Sequence, residues 1–239
     1  MLILFFTVTA TSQKMTWTTK SDVAKDVAMK GANHYMNAEF ERSYSDFSEA
    51  LRLDSDFTVA LVFMSNLTRG EVRKAYIQKA LKSAENKTEG EKLFASSLSE
   101  KDSTARTNTW VKLHSMFPDG AMLANIYVQT RPTPEEQFTA AQECLKKFPD
   151  QASMYNILAY YYMNNKKDNV LAKQNFEKYI SMYPDGSNPY DSMGEFYLGS
   201  GDVANAEKYY RLSLEKYPFT TSSLNALQKI ADSKTKDSK

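Results

Sequence analysis

In AEKYYRLSLEKYP the apolar and small side chains Ala206, Tyr209, Tyr210, Ser213, Leu214 and Tyr217 recur at helical spacing and trace one face of a helix. LAKQNFEKYISMYP repeats the stripe with Ala172, Phe176, Tyr179, Ile180 and Tyr183, and FTAAQECLKKFP with Phe138, Ala141, Leu145 and Phe148. Each run stops at an aromatic–proline pair, and a fourth pair stands in MFPDG. Proline drives the residue before it out of the α region, so each stripe predicts a helix ending there. Beyond each mark a second amphipathic run opens. Asp119, Asp150 and Asp185 are placed to accept hydrogen bonds from its free N–H groups. The prolines Pro118, Pro149, Pro184 and Pro218 are spaced by 31, 35 and 34 residues.

A period near 34 with two helices per unit predicts an all-α helical solenoid. Residues 187–220 resemble a tetratricopeptide (TPR) repeat. Tyr190, Met193, Gly194 and Tyr197 match its first helix, GSGD its turn, and Ala206, Tyr210, Ser213 and Pro218 its second helix. Residues 152–186 match with Tyr155, Leu158, Ala159, Tyr162, Ala172, Phe176 and Pro184, the extra residue falling in NNKKDN. Tyr179 stands where a small residue is usual, so the packing there must be rearranged. A third match, 24–57, carries Gly31, His34, Phe40, Phe47, Ala50 and Leu53, with Ser43 and Lys30 as departures and Ser55 in place of the proline.

The resemblance implies a right-handed superhelix of about six antiparallel helix pairs of the bacterial exported type. Its divisions are a first unit over 20–57, two divergent pairs over 58–118, a truncated unit over 119–151, two full units over 152–186 and 187–218, and a capping helix over 219–233. The divergent part holds expected helices at 58–67, 71–84, 89–100 and 103–117. In the truncated unit QTRPTPEEQ breaks the first helix early, and Pro134 suits the start of the next. Leu224, Leu227 and Ile230 give the capping helix one apolar side, and the polar tail 234–239 is expected to fray.

Composition changes this picture little. Charged residues are 25% and the net charge is +1, which gives no electrostatic footprint for nucleic acid. One cysteine excludes an intrachain disulfide. MLILFFTVTA is different: uncharged, apolar, shorter than a membrane span, and followed by the small residues Ala10 and Ser12. It predicts an export signal over 1–12, although no Lys or Arg precedes the apolar run. Cleavage would leave a periplasmic or secreted protein with no integral membrane segment; without cleavage the chain would be cytoplasmic.

Chemical candidates are few. His34 fills an aromatic core slot and His114 lies one helical turn from Trp110, with no second His or Cys at ligand spacing. Cys144 reads as a packing residue, and Glu135/Glu136 and Asp54/Asp56 as solvated carboxylates. No nucleophile elbow, phosphate loop, dinucleotide turn or zinc motif is present. The expectation is therefore no catalysis, no metal and no cofactor.

The tyrosine run AYYYMNN offers more. Tyr160 and Met163 are spaced to face the inner groove. The resemblance adds Asn156, Asn164, Asp191, Glu195 and Leu198, with Tyr35 and Met36 near the N-terminus. This surface lacks the paired Lys/Arg clamps some TPR domains use on acidic peptide ends, so a ligand with basic or neutral polar groups fits better. The implied function is a non-catalytic scaffold gripping a protein or peptide partner in its concave groove, in the bacterial periplasm or envelope. The alternative is a peptide- or glycan-binding protein of an uptake system. Oligomeric state is left open.

Overall fold

The computed structural model describes residues 14–236. The export signal expected over 1–12 and the last three residues of the tail lie outside them. The described residues form thirteen α-helices: α1 (Asp22–Met36), α2 (Phe40–Leu53), α3 (Thr58–Leu67), α4 (Gly70–Ala84), α5 (Glu89–Ser96), α6 (Ser103–Met116), α7 (Ala121–Gln129), α8 (Pro134–Lys147), α9 (Ala152–Tyr161), α10 (Asn169–Met182), α11 (Asn188–Gly199), α12 (Val203–Lys216) and α13 (Thr221–Lys236). There is no strand among these residues. Successive helices pack pairwise, α1 on α2 through α11 on α12, and α13 closes the far end.

α5 ends at Ser96, short of the expected 100. The serines of SSLS turn inward on their own backbone: Ser96 Oγ donates to Leu93 O at 2.9 Å, and Ser97 Oγ to Phe94 O at 2.7 Å. Such local bonds compete with helix continuation. α13 runs three residues past its expected end. The extra residue of the 152–186 unit is taken up in a wide π turn over Tyr162–Lys166, ending at Lys167 in the left-handed region (φ 56°).

The aromatic–proline marks share one geometry. The aromatic residue is the helix C-cap in extended or bridging backbone, at Phe117, Phe148, Tyr183 and Tyr217. Its carbonyl accepts the N–H three residues on, from Gly120, Gln151, Gly186 and Thr220. Proline therefore occupies the second position of a turn, where its fixed φ is favourable. Asp54–Phe57 makes the same turn, at 3.2 Å, with Ser55 in the proline's place. The aspartates are not the caps they were expected to be. The cap positions belong to Gly120, Gln151 and Ser187, one or two residues later, and none of these caps with its side chain. The turn itself uses up the aspartate positions; Asp119 instead pairs with Lys147 at 2.7 Å.

The N-terminal core is a ladder of rings. Phe47 stacks on Phe63 at 4.5 Å, Phe63 meets Phe94 at 5.8 Å, and Phe94 meets Trp110 edge-on at 5.4 Å. An extended segment ahead of α1 lies along it. Thr18 donates from its backbone N (2.7 Å) and its hydroxyl (2.8 Å) to Glu91, a fully buried carboxylate that also completes a capping box with Thr88. At the other end Gly194 lies so close to Tyr210 that a Cβ there would sit 2.8 Å from the ring, so only glycine lets α11 and α12 approach.

The array curls until its first pair reaches its last two. α1 ends in a Schellman turn, Glu39 N donating to His34 O at 2.9 Å and Ala38 N to Tyr35 O at 3.1 Å. Ala38 occupies the left-handed position (φ 58°) that Gly201 fills in the corresponding turn of the last pair. This aims Glu39 across the superhelix at the N-terminus of α11. Its carboxylate accepts from Ser187 N, from Ser187 Oγ at 3.0 Å, from Asn188 N at 3.3 Å and from Tyr183 Oη at 3.0 Å. Arg42 donates to Lys216 O at 2.7 Å and lies 4.9 Å over the Tyr217 ring. Tyr179, the misfit in its small-residue slot, is fully buried and donates to Asn37 O at 3.3 Å. The rearranged packing at Tyr179 is thus a seam joining the two ends of the array.

Candidate functional site

The inner helices and the seam enclose a pocket of about 380 Å³. One wall is Asn156 and Tyr160 from α9 with Asp191 and Glu195 from α11; the roof is Phe40 and Glu41 from the first turn of α2. Tyr160 Oη donates to Glu195 Oε2 at 2.6 Å, and its ring stands edge-on to Phe176 at 5.2 Å. Burial, and then the Glu195 charge, push the Tyr160 phenol up, so it stays a neutral donor. Asp191 is buried with Ser223 Oγ donating to it; burial first, then the Glu195 and Glu41 charges, raise its pKa. Asn156 Oδ1 is shielded from solvent and has no hydrogen-bond partner. Glu39, Glu41, Asp191 and Glu195 line the pocket, and no Lys or Arg does. The site is rich in acceptors and negatively charged.

A second recess of about 290 Å³ adjoins it, sharing Asn156 and Tyr160 and adding Asn164 and Asn165 from the π turn. Five residues expected from the sequence therefore gather here: Asn156, Tyr160, Asn164, Asp191 and Glu195. The other four do not line either space. Tyr35 packs between Phe40 and Phe63 at 5.5 and 5.0 Å, and Met36 is half-buried beside it in α1. Met163 packs on the α9–α11 core, and Leu198 sits exposed near the end of α11. The sequence reading missed Glu39, Phe40 and Glu41, because only the closing of the array brings them over the groove. The signal that pointed there was Tyr179, too large for its slot.

His34 is held by Asp46, with Nδ1 2.6 Å from Oδ2. Burial pushes the Cys144 thiol up to about 11, which leaves it protonated at neutral pH. Among the described residues no group of three His, Cys, Asp or Glu side chains is arranged to hold a metal ion, and no helix is long and apolar enough to cross a membrane.

No family model and no curated protein matches the sequence. Solved structures do. A tetratricopeptide repeat protein from Parabacteroides merdae superposes with a TM-score of 0.54 at 14% identity, over 87% of this chain and 84% of that one. The Cut9–Hcn1 hetero-tetramer of the APC/C gives 0.51 at 14% identity, over 87% of this chain and 42% of that one. PilW, a type IV pilus biogenesis factor, gives 0.48 at 12% identity, over 87% of this chain and all of that one. The chain is a helical-repeat protein. More particularly, its repeats have the TPR-like fold.

Proposed function

We propose that this chain is a non-catalytic scaffold that grips a partner protein in its concave groove, through a segment carrying a Lys or Arg side chain. The observation that carries the reading is the groove's polarity. Glu41, Asp191, Glu195 and the unpartnered Asn156 belong to one pocket that no Lys or Arg lines, the fourth carboxylate, Glu39, being already paired with Arg42 at 3.3 Å. An ammonium or guanidinium with its neighbouring amides supplies the missing donors. The walls are rigid helices and the roof is fastened by Glu39, so binding orders little of the protein. A pocket of about 380 Å³ also suits a free peptide of one or two residues, which supports uptake of a peptide or glycan as a second reading.

The place of action is the bacterial periplasm or envelope, on the strength of the apolar segment 1–12; a native protein whose mass begins at Met1 would remove that part. The groove is tested by fluorescence anisotropy with a labelled Arg-containing peptide and its Glu-containing counterpart. The Arg peptide should bind tighter, and Tyr160→Ala/Glu195→Ala should weaken it about tenfold or more, as loss of charge-assisted bonds does. Binding unchanged in that double variant moves the partner off this groove. Free dipeptides competing as well as the full peptide favour the uptake reading.

A further inference from the structure

Outside the groove, a cavity of about 570 Å³ lies between α6, α7 and α8. It opens where the sequence shortens a repeat: α7 has nine residues, against ten and twelve for α9 and α11. Its walls are apolar, formed by Val128, Ala140, Cys144 and Phe148. Its polar groups gather around Tyr127. The His114 ring stacks on Tyr127 at 4.7 Å, and the Arg131 guanidinium lies 4.0 Å from the same ring centre. Arg131 is fixed there, its Nε donating to Tyr127 O at 3.2 Å.

Two nitrogens of residues that line this cavity, Arg131 Nη2 and His114 Nδ1, are buried with no hydrogen-bond partner. They are two of five such side-chain atoms among the described residues. Buried polar groups are normally paired, so two orphans on residues lining one cavity need an explanation. The cations at this end are Arg131 and Lys147, and Lys147 is already paired with Asp119 at 2.7 Å, which leaves Arg131 as the charge on offer. His114 is held below its ordinary pKa by burial first, then by the positive charges of Lys147 and Arg131. The glutamates around the cavity are otherwise disposed: Glu135 and Glu136 are exposed in the first turn of α8, and Glu143 is paired with Lys146 at 2.6 Å.

We propose that this cavity is a second binding site, which takes a small organic carboxylate with an apolar body. The carboxylate accepts from Arg131 Nη2 and from His114 in its Nδ1–H form. The hydrocarbon part covers Val128, Ala140 and Cys144. The volume falls within the range of about 300–1,000 Å³ usual for small-molecule sites. The polarity is the reverse of the groove's, so one ligand does not serve both.

The test is calorimetric titration with octanoate, octanol and octylamine, probes of equal length that differ in head group. Octanoate is expected to bind, and to shift the ring resonances of His114, which His34→Gln assigns because the chain has two histidines. Arg131→Gln should weaken octanoate about tenfold or more, as loss of a charge-assisted hydrogen bond does. Thr139→Trp, an exposed position on the cavity wall, should block binding while leaving the helical circular dichroism and melting curve intact, so that misfolding is not mistaken for loss of a site. N-acetyl-leucine against its amide asks whether a peptide chain end is an acceptable source of the carboxylate, and preference for the acid supports it. Octylamine or octanol binding as tightly as octanoate overturns the proposal. So does octanoate affinity unmoved by both variants.

Discussion

The concave groove and the α6–α8 cavity are both hollows between TPR-like helices, and they differ in the kind of polar atom left unanswered. In the groove it is an acceptor, Asn156 Oδ1, among four carboxylates. In the cavity it is a pair of nitrogens on His114 and Arg131. The origins differ too. The groove exists because distant pairs meet, with Glu39 and Arg42 reaching α11 and the end of α12. The cavity exists because one pair is short, so neighbouring helices fail to fill their own junction. Long-range closure makes one site and local deficiency the other.

The comparison breaks most severely at the seam. Glu39→Ala leaves the N-terminus of α11, Tyr183 and Arg42, whose Nη1 lies 3.3 Å from Glu39 Oε2, without their shared partner, and should cost about 3 kcal/mol in denaturant unfolding. Tyr179→Ala should cost about 3–5 kcal/mol, as large buried aromatics do. The two losses should fall short of adding, since both open one seam. Small-angle scattering should show expansion in either variant, and octanoate binding should survive where Arg peptide binding fails. Survival of peptide binding in an expanded variant would show that the roof is not part of the groove.

A smaller effect separates stability from binding. Asp191 has a raised pKa, so the folded state holds its proton more tightly than the unfolded chain. Its contribution is therefore greatest at acid pH, falls as pH rises from about 3.8 through the folded-state value, and is a fixed cost above that. Asp191→Asn should match or exceed wild-type stability at neutral pH and converge with it in acid, while weakening the Arg peptide. A destabilised variant at pH 7 contradicts this account.

Ala38→Gly should be stabilising by up to about 1 kcal/mol, because alanine is strained in the left-handed position and glycine is not. Smallest is the response of Cys144. Its thiol, pushed up to about 11, should react with maleimide more slowly at pH 8 than in the unfolded chain. Octanoate, but not the Arg peptide, should slow it further.

The sequence exposed what is periodic. Helical stripes, aromatic–proline stops and small residues such as Gly194 and Ala206 give the pairs, because each reports packing against a neighbour in the chain. The five groove residues on α9, the π turn and α11 were legible for the same reason. Glu39 was not, since a glutamate in a turn reads as solvated until the fold carries α11 to it. Arg131 and His114 were equally silent: an unpartnered nitrogen is a property of the surrounding shape. The aspartate caps misled because Asp after Pro also suits the turn that the structure builds there.

The seam between the first pair and the last two also has a mechanical meaning. An array whose units touch only their neighbours stretches like a spring, each junction yielding a little. Here hydrogen bonds span as many as 180 positions of the chain, from Glu41 to Thr221. A pulling force must tear this tie before the coil can lengthen. Duplicating one internal pair would carry Glu39 away from α11, so the tie also fixes how many pairs the intervening coil can hold.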